Sequence, residues 1–305
     1  MFNAKWHAGG GVPFGVLGVR QLIRSLLDAA RRGERTLVMG ILNVTPDSFS
    51  DGGRFHASED AIRRAEAMVA EGADIVDVGG ESTRPGAEPL SEEEEIRRIL
   101  PVIEALAARM PISVDTYKAE VAERAVQAGA AMVNDISALR FDPSMAPAAA
   151  RLDVPICLMH SRGSLRDMHR SPQYRDVVGE VKAELKERVE AALDVGIAPE
   201  NIVLDPGFGF SKNAQHNLEL LRRLREVTEL GYPLLVGTSR KSTIGKVLGG
   251  LPVEDRLEGT AATVALSIAN GASIVRVHDV KEMVRVARMT DAVVRGNWKD
   301  DEVMR

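Results

Sequence analysis

The segment GILNVTPDSFSDGG, residues 40–53, joins an apolar strand pattern to polar residues that could hold a ligand. Asn43 and Asp47 supply amide and carboxylate oxygens, which are the hard ligands that Mg²⁺ prefers. Phe49 is the single aromatic residue of the polar part, and a Gly-Gly pair ends the segment. A plain turn needs none of these side chains, so the segment predicts a ligand-binding loop.

Cationic side chains nearer the C-terminus predict an anion site. Arg276 and His278 are two residues apart in an apolar run, and side chains with this spacing point to the same face of a strand. Arg240 and Lys241 lie in the segment GTSRKS, directly before a helix pattern. This segment lacks the glycine that precedes the lysine of a phosphate-binding P-loop, so we reject a P-loop interpretation.

Acidic, amide and imidazole side chains end several other apolar runs. They are Asp115, Asn134, Asp135, His160 and Asp205. Each of them alone could cap a following helix or be a satisfied structural residue. Their recurrence at nearly every strand end favours a shared site, with carboxylates and amides on one side and cations on the other. Such a site suits a ligand with a flat, donor-rich ring at one end and phosphates at the other.

Eight apolar runs position these residues, and a helix pattern follows each of them. The runs cover residues 36–44, 74–79, 111–115, 131–136, 155–160, 202–205, 233–237 and 273–278. They are nearly continuous in Val, Ile and other apolar residues, as in parallel strands covered on both faces. Ser58 and Ser91 are the expected N-caps of the first two helices that follow. The repeats predict an α/β fold of the (β/α)8 TIM-barrel class; a doubly wound open sheet is the alternative, although it usually has fewer strands.

An extra helix is expected before the first strand, within residues 19–33. Its apolar residues could cover the bottom of the barrel, and they are Leu22, Ile23, Leu26 and Leu27. We therefore divide the chain into an N-terminal extension with a capping helix, residues 1–35, and a single barrel domain, residues 36–305. No linker or low-complexity segment divides the chain further.

Composition argues against several classes of protein. The formal net charge of −5 disfavours a general nucleic-acid binder. No apolar run approaches the roughly 18–20 residues of a membrane span, and Gly and Pro interrupt the N-terminal apolar stretch, so we expect a cytoplasmic protein. Cys157, the only cysteine, lies in the run PICLM and is expected to be a buried core thiol. No Cys or His spacing suggests zinc, and DPGFGF lacks the spacing of a dinucleotide motif.

Eight ordered motifs together resemble the dihydropteroate synthase family of folate synthesis. They are GILNVTPDSFSDGG, DVGGESTRPGA, SVDT, VNDIS, LMH, LDPGFGF, GTSRKS and RVHDV. The resemblance runs from about Thr36 to the last helix. After LMH this chain has SRGSL, where the family more often has Met-Gln-Gly, and the segment before Thr36 lies outside the shared core.

The resemblance implies a reaction and the residues that perform it. The family joins p-aminobenzoate to 6-hydroxymethyl-7,8-dihydropterin pyrophosphate and releases pyrophosphate. The implied pterin ligands are Asp115, Asn134, Asp205 and Lys241. A carboxylate can accept from the amide N–H and the amino group of the pterin together, and Asp205 is our choice for that role.

The other two ligand groups are implied in the same way. Pyrophosphate is expected at Asn43, Thr83, Arg84, Arg276 and His278, with Mg²⁺ as cofactor on Asn43 and Asp47. p-Aminobenzoate is expected at Phe49, Pro85, Phe210 and Ser242, with its carboxylate near the start of the helix that follows GTSRKS.

The implied mechanism is dissociative: pyrophosphate leaves first, and the aniline nitrogen then attacks a cation delocalised into the pterin ring. The expected catalytic residues are Asp115, Asp51, Lys241, Arg276 and His278. Sulfonamides, which resemble p-aminobenzoate, are expected inhibitors, and a homodimer is expected by analogy with the family. Two alternatives stay open, namely a pterin-dependent methyltransferase barrel and a non-catalytic paralogue that only binds a pterin.

Overall fold

The computed structural model describes residues 15–44, 53–82, 88–164, 167, 173–296 and 298, with the side chains of residues 53–57 excluded. Six residues with expected roles lie outside these ranges, so the structure does not bear on them. They are Asp47, Phe49, Asp51, Thr83, Arg84 and Pro85.

Eight parallel strands form the centre of the fold. They are β1 (Leu37–Asn43), β2 (Ile75–Gly79), β3 (Ile112–Asp115), β4 (Met132–Asp135), β5 (Ile156–Met159), β6 (Ile202–Asp205), β7 (Leu235–Val236) and β8 (Ile274–Val277). Their order in the sheet is β6-β5-β4-β3-β2-β1-β8-β7, and a parallel bridge between Leu204 and Leu234 joins the two outer strands. The sheet therefore closes on itself, which confirms the TIM barrel and excludes the open sheet.

Helices alternate with the strands and cover the outside of the barrel. They are α2 (Gly53–Glu71), α3 (Glu92–Leu106), α4 (Ala119–Gln127), α5 (Met145–Leu152), α6 (Val177–Asp194), α7 (Ala214–Arg222), α8 (Arg225–Thr228), α9 (Ser242–Val247), α10 (Leu257–Ala269) and α11 (Val280–Arg295). A further helix, α1 (Gly15–Arg31), precedes β1. No helix in the described part of the chain combines the length and the apolar character that crossing a membrane requires.

The two predicted N-caps have different outcomes. Ser91 caps α3, because its side chain accepts a hydrogen bond from the backbone N–H of Glu94. The prediction for Ser58 was wrong, since α2 begins at Gly53 and Ser58 lies inside the helix. The N-cap pattern of serine followed by acidic residues also occurs within helices, where the backbone N–H groups already have helical partners.

Side chains alternate between the two faces of each strand. In β8, Ile274 belongs to the inner apolar cluster of the barrel and Val275 to the outer cluster under the helices. In β2, Ile75 faces inward and Val76 outward in the same way. Because the period of a strand is two residues, Arg276 and Asp77 must also face the interior, one layer higher.

The extra helix α1 covers the bottom of the barrel. Its buried residues Val19, Ile23, Leu27 and Ala30 pack against the first inward-facing side chains of the strands. The sequence predicted this contact through Ile23 and Leu27; Leu22 and Leu26 are only partly buried. Cys157 lies in the same inner layer and is a free, buried thiol, as expected.

Candidate functional site

The inward-facing residues near the C-terminal ends of the strands form a polar layer above the apolar bottom layer. Strand alternation assigns six residues to it, namely Asn43, Asp77, Asp115, Asn134, Asp205 and Arg276. Five of them were predicted from the sequence. In a barrel of this kind this end carries the chemistry, so the layer is the candidate active site.

Arg276 lies between two carboxylates. Its Nε is 2.6 Å from Oδ2 of Asp77, and its Nη2 is 2.6 Å from Oδ2 of Asp115. Asn134 donates a further hydrogen bond of 2.9 Å to the same oxygen of Asp77. Asp77 was not among the site residues predicted from the sequence; it is fully buried and holds both Arg276 and Asn134 in place.

The charges of this group are strongly perturbed by burial. Burial raises the pKa of Asp115 to about 7, against the opposing effect of Arg276. Burial would lower the pKa of Arg276, but Asp77 and Asp115 raise it above its usual value. Arg276 therefore keeps its positive charge, while Asp115 changes its charge near neutral pH.

Asp205 lies at the end of β6 and is 7% exposed. Its Oδ1 accepts a hydrogen bond of 2.7 Å from the backbone N–H of Gly207, and this contact orients the carboxylate. Burial raises the pKa of Asp205 to about 6, although Gly207 and Lys241 favour the ionised form. A carboxylate held in this way can accept hydrogen bonds from a ligand with its second oxygen.

Lys241 precedes α9 and lies against an aromatic ring. Its Nζ is 4.2 Å from the centroid of the Phe210 ring, within the range of a cation–π contact. Burial and the charge of Arg276 lower the pKa of Lys241 to about 8, while Asp205 and Asp115 act in the opposite direction. The charges of both carboxylates therefore stabilise the ammonium form of Lys241.

Arg240, the neighbour of Lys241, turns away from the site. It forms a bidentate ion pair with Asp279 at 2.5 and 3.0 Å, and its φ of 58° lies in the left-handed region. Of the two cations in GTSRKS, only Lys241 is therefore available to the site.

His278 is held by Ser239 at the same end of the barrel. Its Nδ1 is 3.0 Å from Oγ of Ser239, and burial, with the charge of Arg276, lowers its pKa to about 3. The imidazole is therefore neutral at physiological pH and can take part as a hydrogen-bonding group rather than as a cation. Ser242 is exposed in the first turn of α9.

A small apolar wall flanks the polar groups. Ile136, Met159 and Phe210 form one buried cluster, and the partly buried rings of Tyr117 and Phe141 pack against it. The two partly buried rings meet edge to face at 5.8 Å. An apolar wall beside hydrogen-bonding groups suits a planar ring with polar edges.

Two residues grouped with the site in the sequence face the other way. Asp135 points outward from β4 and accepts hydrogen bonds of 2.7 Å from the backbone N–H groups of Ser137 and Leu139. His160 follows β5 and contacts Glu184 on α6. Both are one residue out of phase with the inward-facing positions. The alternation of side chains along the strands could therefore have excluded them from the predicted site.

Asn43 is the described residue with an expected metal-binding role. Its side chain has no hydrogen-bond partner among the described residues. The described ranges also contain no group of three or more His, Cys, Asp or Glu side chains that could hold a metal ion. A single amide oxygen fits Mg²⁺ that is bound mainly through ligand phosphates and water. It does not fit a site built from protein ligands alone.

Comparison with known proteins gives consistent matches. The model of a family described as pterin binding enzyme matches residues 39–278. A dihydropteroate synthase from Clostridium beijerinckii is 52% identical over 266 residues, which cover 86% of this chain and 96% of the relative.

Solved structures agree with that relative. The structure of dihydropteroate synthase from Clostridium difficile in the presence of pteroic acid is 51% identical, with a TM-score of 0.82 and coverage of 86% and 98% of the two chains. The Yersinia pestis enzyme in complex with a sulfonamide drug is 45% identical, with a TM-score of 0.80 and coverage of 86% and 95%.

Proposed function

This chain belongs to the dihydropteroate synthases, enzymes of folate synthesis within the pterin binding enzyme family, and we propose how its residues divide the work. The substrates would be 6-hydroxymethyl-7,8-dihydropterin pyrophosphate and p-aminobenzoate. The observation that carries the assignment is the polar layer together with Lys241: the carboxylates of Asp115 and Asp205 interact with the cations Arg276 and Lys241 beside an apolar wall.

The pterin ring would bind in this layer. Asp205, oriented by Gly207, accepts from the ring amide N–H and the amino group, and Lys241 donates to the ring carbonyl. Asn134, fixed by Asp77, contributes an amide to the ring edge. The apolar wall containing Met159 would contact the face of the ring.

The pyrophosphate would leave from the side of the site that carries Arg276 and His278. The bond between the exocyclic carbon and the pyrophosphate oxygen breaks, and the electron pair leaves with pyrophosphate. Arg276 stabilises the leaving anion, and the neutral His278 donates a hydrogen bond to it. Asp115, in its ionised form, stabilises the positive charge that develops on the pterin.

Attack by p-aminobenzoate completes the reaction. Its amine nitrogen forms the new bond to the exocyclic carbon and releases one proton to water. Phe210 would line this pocket, and Ser242, exposed at the start of α9, would contact the carboxylate. A sulfonamide, which shares the ring and the amine, would compete for the same pocket; a drug of this class was bound to the Yersinia pestis relative.

Mg²⁺ would be held through Asn43 and, outside the described residues, Asp47. When bound, it would neutralise charge on the pyrophosphate oxygens.

Association and location belong to the same proposal. Two subunits would associate through apolar side chains that are exposed on neighbouring helices, such as Met289 and Val293 on α11 and Leu266 on α10. These side chains would be covered in a homodimer, and sedimentation of the purified chain tests this. The enzyme would act in the cytoplasm.

The decisive experiment measures dihydropteroate and pyrophosphate formed by the purified chain from both substrates and Mg²⁺. Formation of both products in equal amounts, dependent on p-aminobenzoate, supports the proposal. Pterin binding without either product would indicate a non-catalytic paralogue. Methyl transfer from a methylated pterin, with no release of pyrophosphate, would indicate the methyltransferase alternative.

A further inference from the structure

Four ionisable side chains form a connected group outside the barrel interior, between the ends of β5 and β6 and the helix α6. We call Arg162, Glu184, His160 and Lys212 the loop network. Nε of Arg162 is 2.9 Å from Oε1 of Glu184, and Oε2 of Glu184 is 3.0 Å from Nε2 of His160. Nδ1 of His160 is in turn 2.9 Å from Nζ of Lys212. The reaction proposed above uses none of these residues.

The contacts define how the hydrogens are arranged. Burial lowers the pKa of Lys212 to about 7. In its ammonium form Lys212 can only donate, so Nδ1 of His160 accepts, and Nε2 carries the hydrogen that is donated to Glu184. Burial and the charge of Lys212 lower the pKa of His160 to about 4, which keeps the ring neutral. Burial would raise the pKa of Glu184, but hydrogen bonds from His160 and Arg162 lower it to about 2.

Lys212 joins the loop network to the turn that carries Phe210. Its Nζ donates to the carbonyl oxygens of Gly207 at 3.2 Å and Phe210 at 3.1 Å, the two ends of a tight turn. With His160 these make three acceptors for three donors. Gly207 has a φ of 70°, and a Cβ there would overlap the carbonyl oxygen of His160, so the turn packs directly on the backbone after β5.

The opposite side of the same turn faces the substrate site. The backbone N–H of Gly207 orients Asp205, and the ring of Phe210 lies against the ammonium of Lys241. A Cβ on Gly209 would lie 3.1 Å from Cδ of Lys241, so the turn also limits where this lysine can go. Any movement of the turn therefore displaces two proposed pterin ligands together.

Arg162 ties the two loops to each other. Its backbone N–H donates to Oγ of Ser211 at 2.8 Å, and the Ser211 hydroxyl donates to the carbonyl of Arg162 at 2.9 Å. The guanidinium is held by Glu180 and Glu184 and stacks 4.0 Å from the ring centre of Tyr174. Arg162 lies in SRGSL, the segment where this chain departs from the usual family pattern.

We propose that Lys212 and His160 are positioning residues for this enzyme: they hold the Gly207–Phe210 turn so that Asp205 and Lys241 meet the pterin in the productive geometry. The inference rests on the proposed function, because it assigns the pterin to these two ligands. Neither residue needs to touch the substrate. A group that aligns reacting partners affects turnover strongly, since a misplacement of about 1 Å can lower the rate on the order of 100-fold.

The test replaces Lys212 with Met, which keeps most of its length and removes the donors. The affinity for the pterin substrate and kcat should each fall, with a combined loss in kcat/KM of about 10- to 100-fold at a temperature where the variant is fully folded. Lys182→Met is the matched control, because Lys182 lies on α6 and pairs with Glu229 at the surface, 2.5 Å away. The control should have wild-type kinetics.

A second pair of variants covers the case in which Lys212→Met does not fold. His160→Gln keeps one acceptor and one donor and should retain most activity. His160→Leu removes both hydrogen bonds of the loop network at this position and should lose most activity. Folded variants of Lys212 or His160 with lowered unfolding temperature but unchanged kcat and pterin affinity would overturn the proposal and leave a purely structural role. Calorimetry with the pterin alone reports on the turn even if the wild type forms no dihydropteroate, so the two proposals can fail separately.

Discussion

Arg276 and Asp77 form an ion pair of 2.6 Å across the interior of the barrel, although β1 lies between their strands. The carboxylate is fully buried, and the guanidinium side chain is 20% exposed. Asp77 thereby fixes the side chain that we assign to the leaving pyrophosphate, and it does so from a position no ligand needs to reach.

Replacing Asp77 with Ala should destabilise the protein strongly. Removal of one partner of a buried ion pair typically costs about 3–5 kcal/mol, because the other charge stays buried. Chemical denaturation measures this loss. Asp60→Asn is the control, since Asp60 pairs with Arg63 on the exposed face of α2, and such pairs are worth about 0–1 kcal/mol. Equal losses of unfolding free energy in both variants would show that the interior pair stabilises the protein no more than the surface pair.

Replacing Asp205 with Asn should weaken pterin binding by roughly 10- to 100-fold. An asparagine presents an amide donor where the ring has its own donors, and a hydrogen bond to a charged group is worth about 1.5–3 kcal/mol. Titration calorimetry with the pterin gives the affinity. Asp135→Asn should bind normally, because that equally buried carboxylate caps a turn outside the barrel. Unchanged binding by Asp205→Asn would remove Asp205 from the site.

The pH dependence of stability should report the raised pKa of Asp205. Its pKa is about 6 in the folded protein and about 3.8 when unfolded, so the folded state binds the proton more tightly. The contribution of Asp205 to stability is therefore complete below pH 4 and is lost as pH rises through 6. The loss should amount to about 3 kcal/mol, at about 1.4 kcal/mol per pKa unit.

Thermal unfolding of the ligand-free wild type and of Asp205→Asn between pH 4 and 8 measures this effect. The stability of the wild type relative to the variant should decrease across that range. Pterin affinity of the wild type should increase over the same range, because the ligand requires the ionised carboxylate. A constant difference in stability at all pH values would contradict the raised pKa.

Replacing Arg276 with Ala should weaken binding of the pyrophosphate end of the substrate more than binding of its pterin end. The variant should lose roughly 10- to 100-fold in affinity for the pterin pyrophosphate, because only that ligand carries the charge that Arg276 meets. The loss for the free pterin alcohol should be much smaller. Arg240→Ala is the control, since that guanidinium pairs with Asp279. Equal losses for both ligands would place Arg276 outside the pyrophosphate site.

The bottom helix should matter for stability and not for catalysis. Ile23 is fully buried against the inner layer, so Ile23→Ala should cost about 2–5 kcal/mol of unfolding free energy. Leu17 on the same helix is 81% exposed, and Leu17→Ala should change stability by about 0.5 kcal/mol or less. Folded Ile23→Ala enzyme should keep the wild-type kcat, because α1 lies at the end of the barrel opposite the site. A reduced kcat would refute that separation.

The sequence predicted the barrel because eight Val- and Ile-rich runs, each followed by a helix pattern, leave few other arrangements. It also predicted Asp115, Asn134 and Asp205, since polar residues at the ends of such runs are conspicuous. Asp77 was not predicted as a site residue, because it lies within the run IVDVG rather than at its end. A lone carboxylate at an inward-facing position of a buried strand is the signal that could have found it.

Contacts between distant loops could not be predicted. Lys212 follows the motif LDPGFGF and looks like a surface lysine in the sequence, and only the packing of two loops brings it to His160. The same holds for Arg240, whose pairing with Asp279 depends on a left-handed backbone that no pattern of residue types specifies. Side-chain direction in irregular segments is set by tertiary packing, which local sequence does not encode.

The buried position of Cys157 makes the reactivity of its thiol a measure of barrel opening. Its sulfur lies in the inner layer beneath the polar site, fully buried, and burial raises the pKa of the thiol. A thiol-reactive probe can therefore reach it only while the strands separate or α1 lifts away. Since the chain has no other cysteine, the rate of labelling under native conditions measures how often the closed barrel opens, without any engineered substitution.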